Sequence, residues 1–154
     1  MKYAFLFLNL FFATTALAFE QIYLDRLLNT GICHHCNLSE ADLSGKQLQG
    51  ADLSEALLTG INLKKAILTG AWFTHSRVQN AHFDQADLSM ALADYANFSG
   101  SSFKQANLTG AQFNFADLTD ADLTGAITTD TVFRGVLFCR TVMPDGTINN
   151  SGCQ

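Results

Sequence analysis

Proline is nearly absent from this sequence, with Pro144 the single one among 154 residues, and no Gly- or Ser-rich linker interrupts the chain. Such linkers usually mark domain boundaries, so one domain is predicted. Charged residues are also sparse at 15%, with a net charge of −5. Because binding to nucleic acid requires clustered Lys and Arg, we predict that the protein has no nucleic-acid partner.

Catalytic motifs are missing as well. The sequence has no nucleophile elbow, no phosphate-binding glycine loop and no convergent pair of carboxylates. No stretch after residue 18 is apolar enough to span a membrane. These absences favour a non-catalytic protein that needs no cofactor and no metal, and whose mature chain does not cross a membrane.

The first 18 residues have the pattern of a secretory signal peptide. Lys2 gives a positive start, residues 4–13 are apolar apart from Asn9, and a small-x-small cleavage site ends at Ala18. The alternative, a membrane anchor, is less favoured because ten apolar residues do not cover the hydrocarbon core. We therefore expect export to the periplasm or the extracellular space.

A five-residue repeat fills most of the remaining chain. The motif Ala-Asp-Leu-Ser-Gly at 41–45 recurs with variations, and counting centres in steps of five from Leu38 to Phe138 gives 21 consecutive pentads. A period of five fits neither a helix nor a strand, so stacking into a solenoid is predicted. Four pentads would close a square coil of 20 residues, with the central Leu or Phe pointing inward. Coils about 4.8 Å apart would make a rod of roughly 25 Å.

These A-(D/N)-L-x-x pentads resemble the pentapeptide-repeat family over residues 36–140. The resemblance implies an all-β solenoid, a right-handed quadrilateral β-helix of about five coils, but it implies no activity. Residues 19–35 would form an N-terminal cap, in which a short helix lays Leu24, Leu27 and Leu28 over the first coil. Residues 141–154 would form a C-terminal tail outside the repeat register.

The segment from Cys33 to Cys36, Cys-His-His-Cys, has more than one interpretation. A C-x-x-C spacing can hold a metal or act as a redox pair. The pentad register, however, directs both cysteines inward and His34 and His35 outward, which favours a structural disulfide. Redox and metal-binding roles stay open as alternatives.

The remaining cysteines, Cys139 and Cys153, are predicted to pair with each other and to tie down the tail. Four cysteines allow three pairings. The other two would join opposite ends of the rod, whereas a disulfide needs Cα atoms within about 7 Å.

One face of the predicted rod collects exposed aromatic residues. Because column members recur every 20 residues, successive members should lie about 5 Å apart. Contiguous exposed apolar surface often marks a partner site, and aromatic faces suit sugar rings or protein side chains. We predict that an unknown protein or glycan partner, or a second copy of the chain in a homodimer, binds an aromatic strip made of Trp72, His75, Leu92, Tyr95 and Phe115.

One alternative concerns the role of the aromatic strip, and another concerns the function of the acidic protein as a whole. The stacked rings could merely stabilise the ladder or be covered by the cap or tail. A more remote functional alternative is a DNA mimic that modulates a topoisomerase, as in the gyrase-protecting members of the resembled family. The modest negative charge and the export signal disfavour that role.

Overall fold

The computed structural model describes residues 21–154. The predicted signal peptide over residues 1–18 and the start of the predicted cap lie outside this range. Between residues 21 and 154, no helix is long and apolar enough to cross a membrane. In chain order, this range contains a helix, a stack of 20-residue coils and a closing hairpin.

From Ile32 onward the chain winds in coils of 20 residues. Nineteen parallel bridges each join a residue to the one 20 positions later, from Ile32↔Asp52 to Asp122↔Val142. Each side of a coil contributes a single bridged residue. The described residues therefore contain only two longer strands, β1 (Thr141–Val142) and β2 (Ile148–Asn149). The coils begin four residues before the predicted boundary at 36.

Every backbone N–H of a consensus pentad has an acceptor, as the pentad centred on Leu53 illustrates. The N–H of Asp52 donates to the coil before, and the N–H groups of Leu53 and Glu55 donate to the coil after. The N–H of Ala56 closes the corner on the Leu53 carbonyl at 3.3 Å. The N–H of Ser54 donates to Asp52 Oδ1 at 3.0 Å. A complete set of hydrogen bonds is what a buried backbone requires.

The Asp or Asn of the consensus therefore has a structural role within the coil. Its side-chain oxygen accepts the N–H two residues later, as in an Asx turn. The contact recurs at nine bridged positions: Asn37, Asp42, Asp52, Asn62, Asp87, Asn97, Asn107, Asp117 and Asp122.

The interior is filled by the central residues of the pentads, including five fully buried phenylalanines. Phe98 lies at the centre of this cluster, and its ring centroid is 5.5 to 6.1 Å from those of Phe73, Phe83, Phe103 and Phe113. Ala93 is buried in the column between Phe73 and Phe113. Because Phe98 contacts both of those rings, it fills the space that the small side chain leaves.

The cap is a helix over residues 21–30. Leu27 is buried, and Tyr23 and Leu24 pack against the core. Leu28, which was predicted to lie on the core, is instead 49% exposed. Leu27 lies at the centre of the packed face. Because a helix turns about 100° per residue, Leu28 points roughly 100° away from that centre. The helix ends at Gly31, whose positive φ of 71° allows its N–H to donate to the Leu27 carbonyl at 2.8 Å.

The C-terminal tail continues the coil before it turns back. The prediction that the register breaks at residue 141 is wrong, because Val142 still bridges to Asp122 and the Pro144 carbonyl still accepts the N–H of Gly125. Strand β1 then pairs with β2 in an antiparallel hairpin. The N–H of Gly152 donates to the Phe138 carbonyl at 2.7 Å. The tail thus lies directly on the last coil.

Acid should destabilise the coils through the carboxylates at bridged positions. Burial acts to raise the pKa of Asp87, but hydrogen bonds from Ser89, Thr69 and Asn107 outweigh it and hold the pKa below the ordinary value of 3.8. A pKa lowered in the folded state gives stability that is present above the unfolded value and lost as pH falls through the folded one. We expect the melting temperature to be level near neutral pH and to fall below about pH 4.

The variants Asp87→Asn and Asp87→Ala separate charge from hydrogen bonding at this position. Asn keeps an oxygen for the N–H of Ser89, so it should retain most of the neutral-pH stability and reduce the acid sensitivity. Ala loses the acceptor and should cost roughly 1–2 kcal/mol. An unchanged acid transition in Asp87→Asn, followed by circular dichroism, would count against this account.

Candidate functional site

The rings of His75, Tyr95 and Phe115, three residues of the aromatic strip, are stacked on one another. The ring centroids of His75 and Tyr95 are 5.0 Å apart, with planes inclined by 12°. Those of Tyr95 and Phe115 are 5.1 Å apart, with planes inclined by 14°. Each ring belongs to a successive coil, so the spacing of the coils sets the spacing of the stack.

Trp72 and Leu92 lie beside this stack, one residue before the centre of their pentads, and are joined by a bridge. The same column continues through Gln112 to Val132. Val132 is 42% exposed and extends the apolar surface toward the C-terminus. Val132 was not among the predicted residues of the strip.

The aromatic strip is open to solvent. Trp72 is 49% exposed, Tyr95 55% and Phe115 49%. Within residues 21–154, neither the cap helix nor the tail covers these side chains, so the interpretation that these two elements bury them is excluded.

The three stacked residues occupy backbone positions that disfavour them. His75, Tyr95 and Phe115 have φ of 59°, 59° and 57°, a left-handed conformation that costs L-residues roughly 1–2 kcal/mol. At the same pentad position of other coils the chain has Gly, Asn, Asp or Gln in many cases. Among the described residues, Tyr and Phe take up this conformation on this face only. Stacking, worth about 0.5–1.5 kcal/mol per pair, offsets part of the cost.

Toward the N-terminus the same column continues with Glu55 and His35. His35 Nδ1 lies 3.5 Å from Glu55 Oε2, and His34 Nε2 lies 3.9 Å from Glu55 Oε1. Sequence reasoning missed this cluster, although the signal was present: His35 precedes Glu55 by one coil length of 20 residues. An open groove of about 650 Å³ adjoins it, lined by His35, Glu55, Leu57, His75 and Arg77.

The two cysteines of the Cys-His-His-Cys segment are bonded to each other. Cys33 and Cys36 are fully buried, with Cα atoms 5.2 Å apart. Their side chains point into the core while His34 and His35 point outward, so the four do not converge on one metal ion. A redox role is also disfavoured, because thiol–disulfide exchange requires access to sulfur. At the other end, Cys139 is bonded to Cys153, with Cα atoms 4.8 Å apart.

Comparison of the sequence with known protein families finds one repeat family that matches most of the chain. The model for pentapeptide repeats, with 8 copies, matches residues 32–70, 47–85, 66–110, 86–125 and 116–145. The chain belongs to the pentapeptide-repeat family. Members of this family fold as right-handed quadrilateral β-helices and are in general structural or binding proteins rather than enzymes.

Solved pentapeptide-repeat structures resemble this one. Rfr23 from the cyanobacterium Cyanothece 51142 is 25% identical with a TM-score of 0.74, and the match covers 75% of this chain and 92% of that one. A pentapeptide-repeat protein from the Arabidopsis thaliana thylakoid lumen is 33% identical over 68% of this chain and 70% of its own, with a TM-score of 0.36.

QnrB1, a plasmid-mediated fluoroquinolone resistance protein, is also similar in a trypsin-treated form. It is 20% identical over 79% of this chain and 78% of its own, with a TM-score of 0.40. No curated protein matches the sequence. The family match and the likeness to Rfr23 assign the pentapeptide-repeat fold, while the activity has to be argued from the surface of the coils.

Proposed function

We propose that this pentapeptide-repeat protein is an exported, non-catalytic binding protein that engages a protein partner through the aromatic strip. The observation that carries the proposal is the parallel stack of three half-exposed rings held in a left-handed backbone conformation. The left-handed conformation recurs at this position of the other pentads, so what sets this face apart is that aromatic side chains occupy it in successive coils. Aromatic side chains are also enriched at the centres of protein interfaces.

The stacking geometry favours a protein over a glycan. A sugar ring packs on the free face of an aromatic ring. In the strip, both faces of Tyr95 are taken up by His75 on one side and Phe115 on the other, at 5.0 and 5.1 Å. The surface that solvent meets is therefore mostly a ridge of ring edges flanked by Trp72. A ridge of this kind suits the apolar groove of a protein.

Export is supported by two features of the chain. Residues 1–18 have the composition of a signal peptide, and two disulfides leave no free cysteine among the described residues. Disulfides persist in oxidising compartments. Mass spectrometry of the native protein should find a mature chain that starts at Phe19.

A triple variant, Trp72→Ser, Tyr95→Gly and Phe115→Gly, tests the binding role. Glycine suits the positive φ at two of these positions, so the variant should fold while it loses the ridge. We expect it to lose the partner that cross-linking and affinity capture recover with the wild-type protein from the compartment where the protein is found. Light scattering would report the loss of a homodimer if the partner is a second copy.

A matched control changes exposed apolar residues on another face. Met90 and Ile127 are 62% and 53% exposed and occupy the equivalent pentad positions. Met90→Gly with Ile127→Ser should keep the partner. A folded strip variant that retains every partner and the wild-type mass would show that the proposal is wrong. If the wild-type binds an oligosaccharide and the strip variant does not, the partner is a glycan and not a protein.

A further inference from the structure

The cluster at the N-terminal end of the aromatic column combines donor atoms typical of a metal site. One ligand atom each from His34, His35 and Glu55 can be chosen so that all three lie within 4.8 Å of one another. The two imidazole rings have centroids 3.9 Å apart and are tilted by 56°. All three side chains are partly or largely exposed to solvent, so an ion can reach them.

The backbone under these side chains is fixed before any ion binds. The disulfide between Cys33 and Cys36 closes a short loop around the two histidines. The N–H of His35 donates to the Ser54 carbonyl at 3.1 Å, which ties this loop to the coil that carries Glu55. Three potential ligands are thus held on two hydrogen-bonded coils, and little conformational freedom would be lost on binding.

We propose that His34, His35 and Glu55 bind one divalent transition-metal ion, with Zn²⁺ as the best match. Imidazole and carboxylate suit Zn²⁺, whereas Ca²⁺ and Mg²⁺ prefer sites made of oxygen. Zinc lies about 2.0–2.2 Å from such ligands, which places tetrahedral donor atoms about 3.3–3.5 Å apart. His35 Nδ1 and His34 Nε2 lie 3.5 and 3.9 Å from different oxygens of Glu55. With one donor atom from each residue the three lie within 4.8 Å of one another, so these exposed side chains have to move together by about 1 Å to hold one ion. The fourth position opens onto the groove and is left to water.

This site differs from the Cys-His-His-Cys arrangement considered from the sequence. The cysteines contribute no ligand, and the third ligand comes from the next coil. An ion there would join the first coil to the second and should stabilise the N-terminal end of the solenoid. It also lies outside the aromatic strip, so the strip variant should bind Zn²⁺ as the wild-type does. The two proposals can therefore fail separately.

Isothermal titration calorimetry with ZnCl₂ tests the site on tag-free, oxidised, chelator-treated protein. We expect one equivalent to bind. Glu55→Gln, His34→Asn and His35→Asn should each weaken binding by about tenfold or more, because changing even an outer-shell partner of a metal site costs about 10–100-fold in affinity. Asn tolerates the positive φ of 58° at position 35. His82, an exposed histidine on another face, provides the control: His82→Asn should bind as the wild-type does.

A second measurement is the effect of Zn²⁺ on the melting temperature of the protein. Saturating Zn²⁺ should raise the melting temperature of the wild-type and of His82→Asn by the same amount, and it should raise that of Glu55→Gln less at the same concentration. Absence of saturable binding would overturn the proposal. Equal affinity for Zn²⁺ in Glu55→Gln and the wild-type would overturn the three-ligand assignment. Displacement of Zn²⁺ by a similar concentration of Mg²⁺ would show that the ion is held by its charge alone, which would also overturn the proposal.

Discussion

Replacing Phe98 by alanine should lower the free energy of unfolding by about 3–5 kcal/mol. The ring contacts four other buried phenylalanines. Parallel bridges fix the spacing of the coils above and below it, so the walls of the cavity cannot collapse to fill it. Urea unfolding followed by circular dichroism measures the change.

Phe115→Gly is the matched control for that core substitution. It also removes a phenylalanine ring, but one that is half exposed and that has a left-handed backbone. Loss of one stacked pair, about 0.5–1.5 kcal/mol, is offset by relief of a conformational cost of similar size. The stability should change by about 1 kcal/mol or less. Equal losses at the two positions would mean that the strip is part of the core.

Removal of the C-terminal disulfide by Cys139→Ser with Cys153→Ser should have the second-largest effect. The bond closes a loop of about 15 residues, for which the chain-entropy estimate is about 3 kcal/mol. The tail would also be released from the last coil, whose backbone groups would then be free to pair with another chain. We expect a lower melting temperature and association that increases with protein concentration, measured by calorimetry and light scattering.

The N-terminal disulfide separates these two effects. Cys33→Ala with Cys36→Ala, which puts no hydroxyl group into the buried positions, opens a loop of only four residues, so the same estimate gives about 2 kcal/mol. The cap helix still packs on the first coil through Leu27, and no association should follow. Concentration-dependent association in this variant, with none in the C-terminal one, would contradict the role assigned to the tail.

The coils could be predicted because each pentad repeats one local geometry. A central Leu or Phe pointing inward every fifth residue requires four sides per coil, and the bridges between residues 20 apart have that spacing. The family match confirms the repeat. The nearness of His75, Tyr95 and Phe115 followed from the same arithmetic, since column members are one coil apart.

The ends of the chain were harder to predict, because the pattern of side chains fades there while the backbone pattern continues. Thr141 to Pro144 carries the coil onward although Met143 stands where Leu or Phe is usual. At the other end, a capping helix was expected to bury Leu28, but the packing face is set by Tyr23, Leu24 and Leu27. Helical periodicity alone leaves that choice of face open.

The proximity of His34 and His35 to Glu55 was missed for a different reason. The pentad register was extended back to Cys33 only to decide which side chains point inward, while the columns of neighbouring coils were compared only from Leu38 onward. Extending the count backward by one pentad places His35 under Glu55.

The constant offset of 20 residues between bridged positions makes the surface sensitive to insertions and deletions in an unusual way. Loss of a whole coil would shorten the rod and leave every downstream side chain on its original face. Loss of a single pentad between His75 and Tyr95 would turn everything after it by a quarter of a coil. The interior would accept that change, since each side presents a similar inward pair. His75, however, would then lie on a different face from Tyr95 and Phe115, so the complete stack survives only length changes made in whole coils.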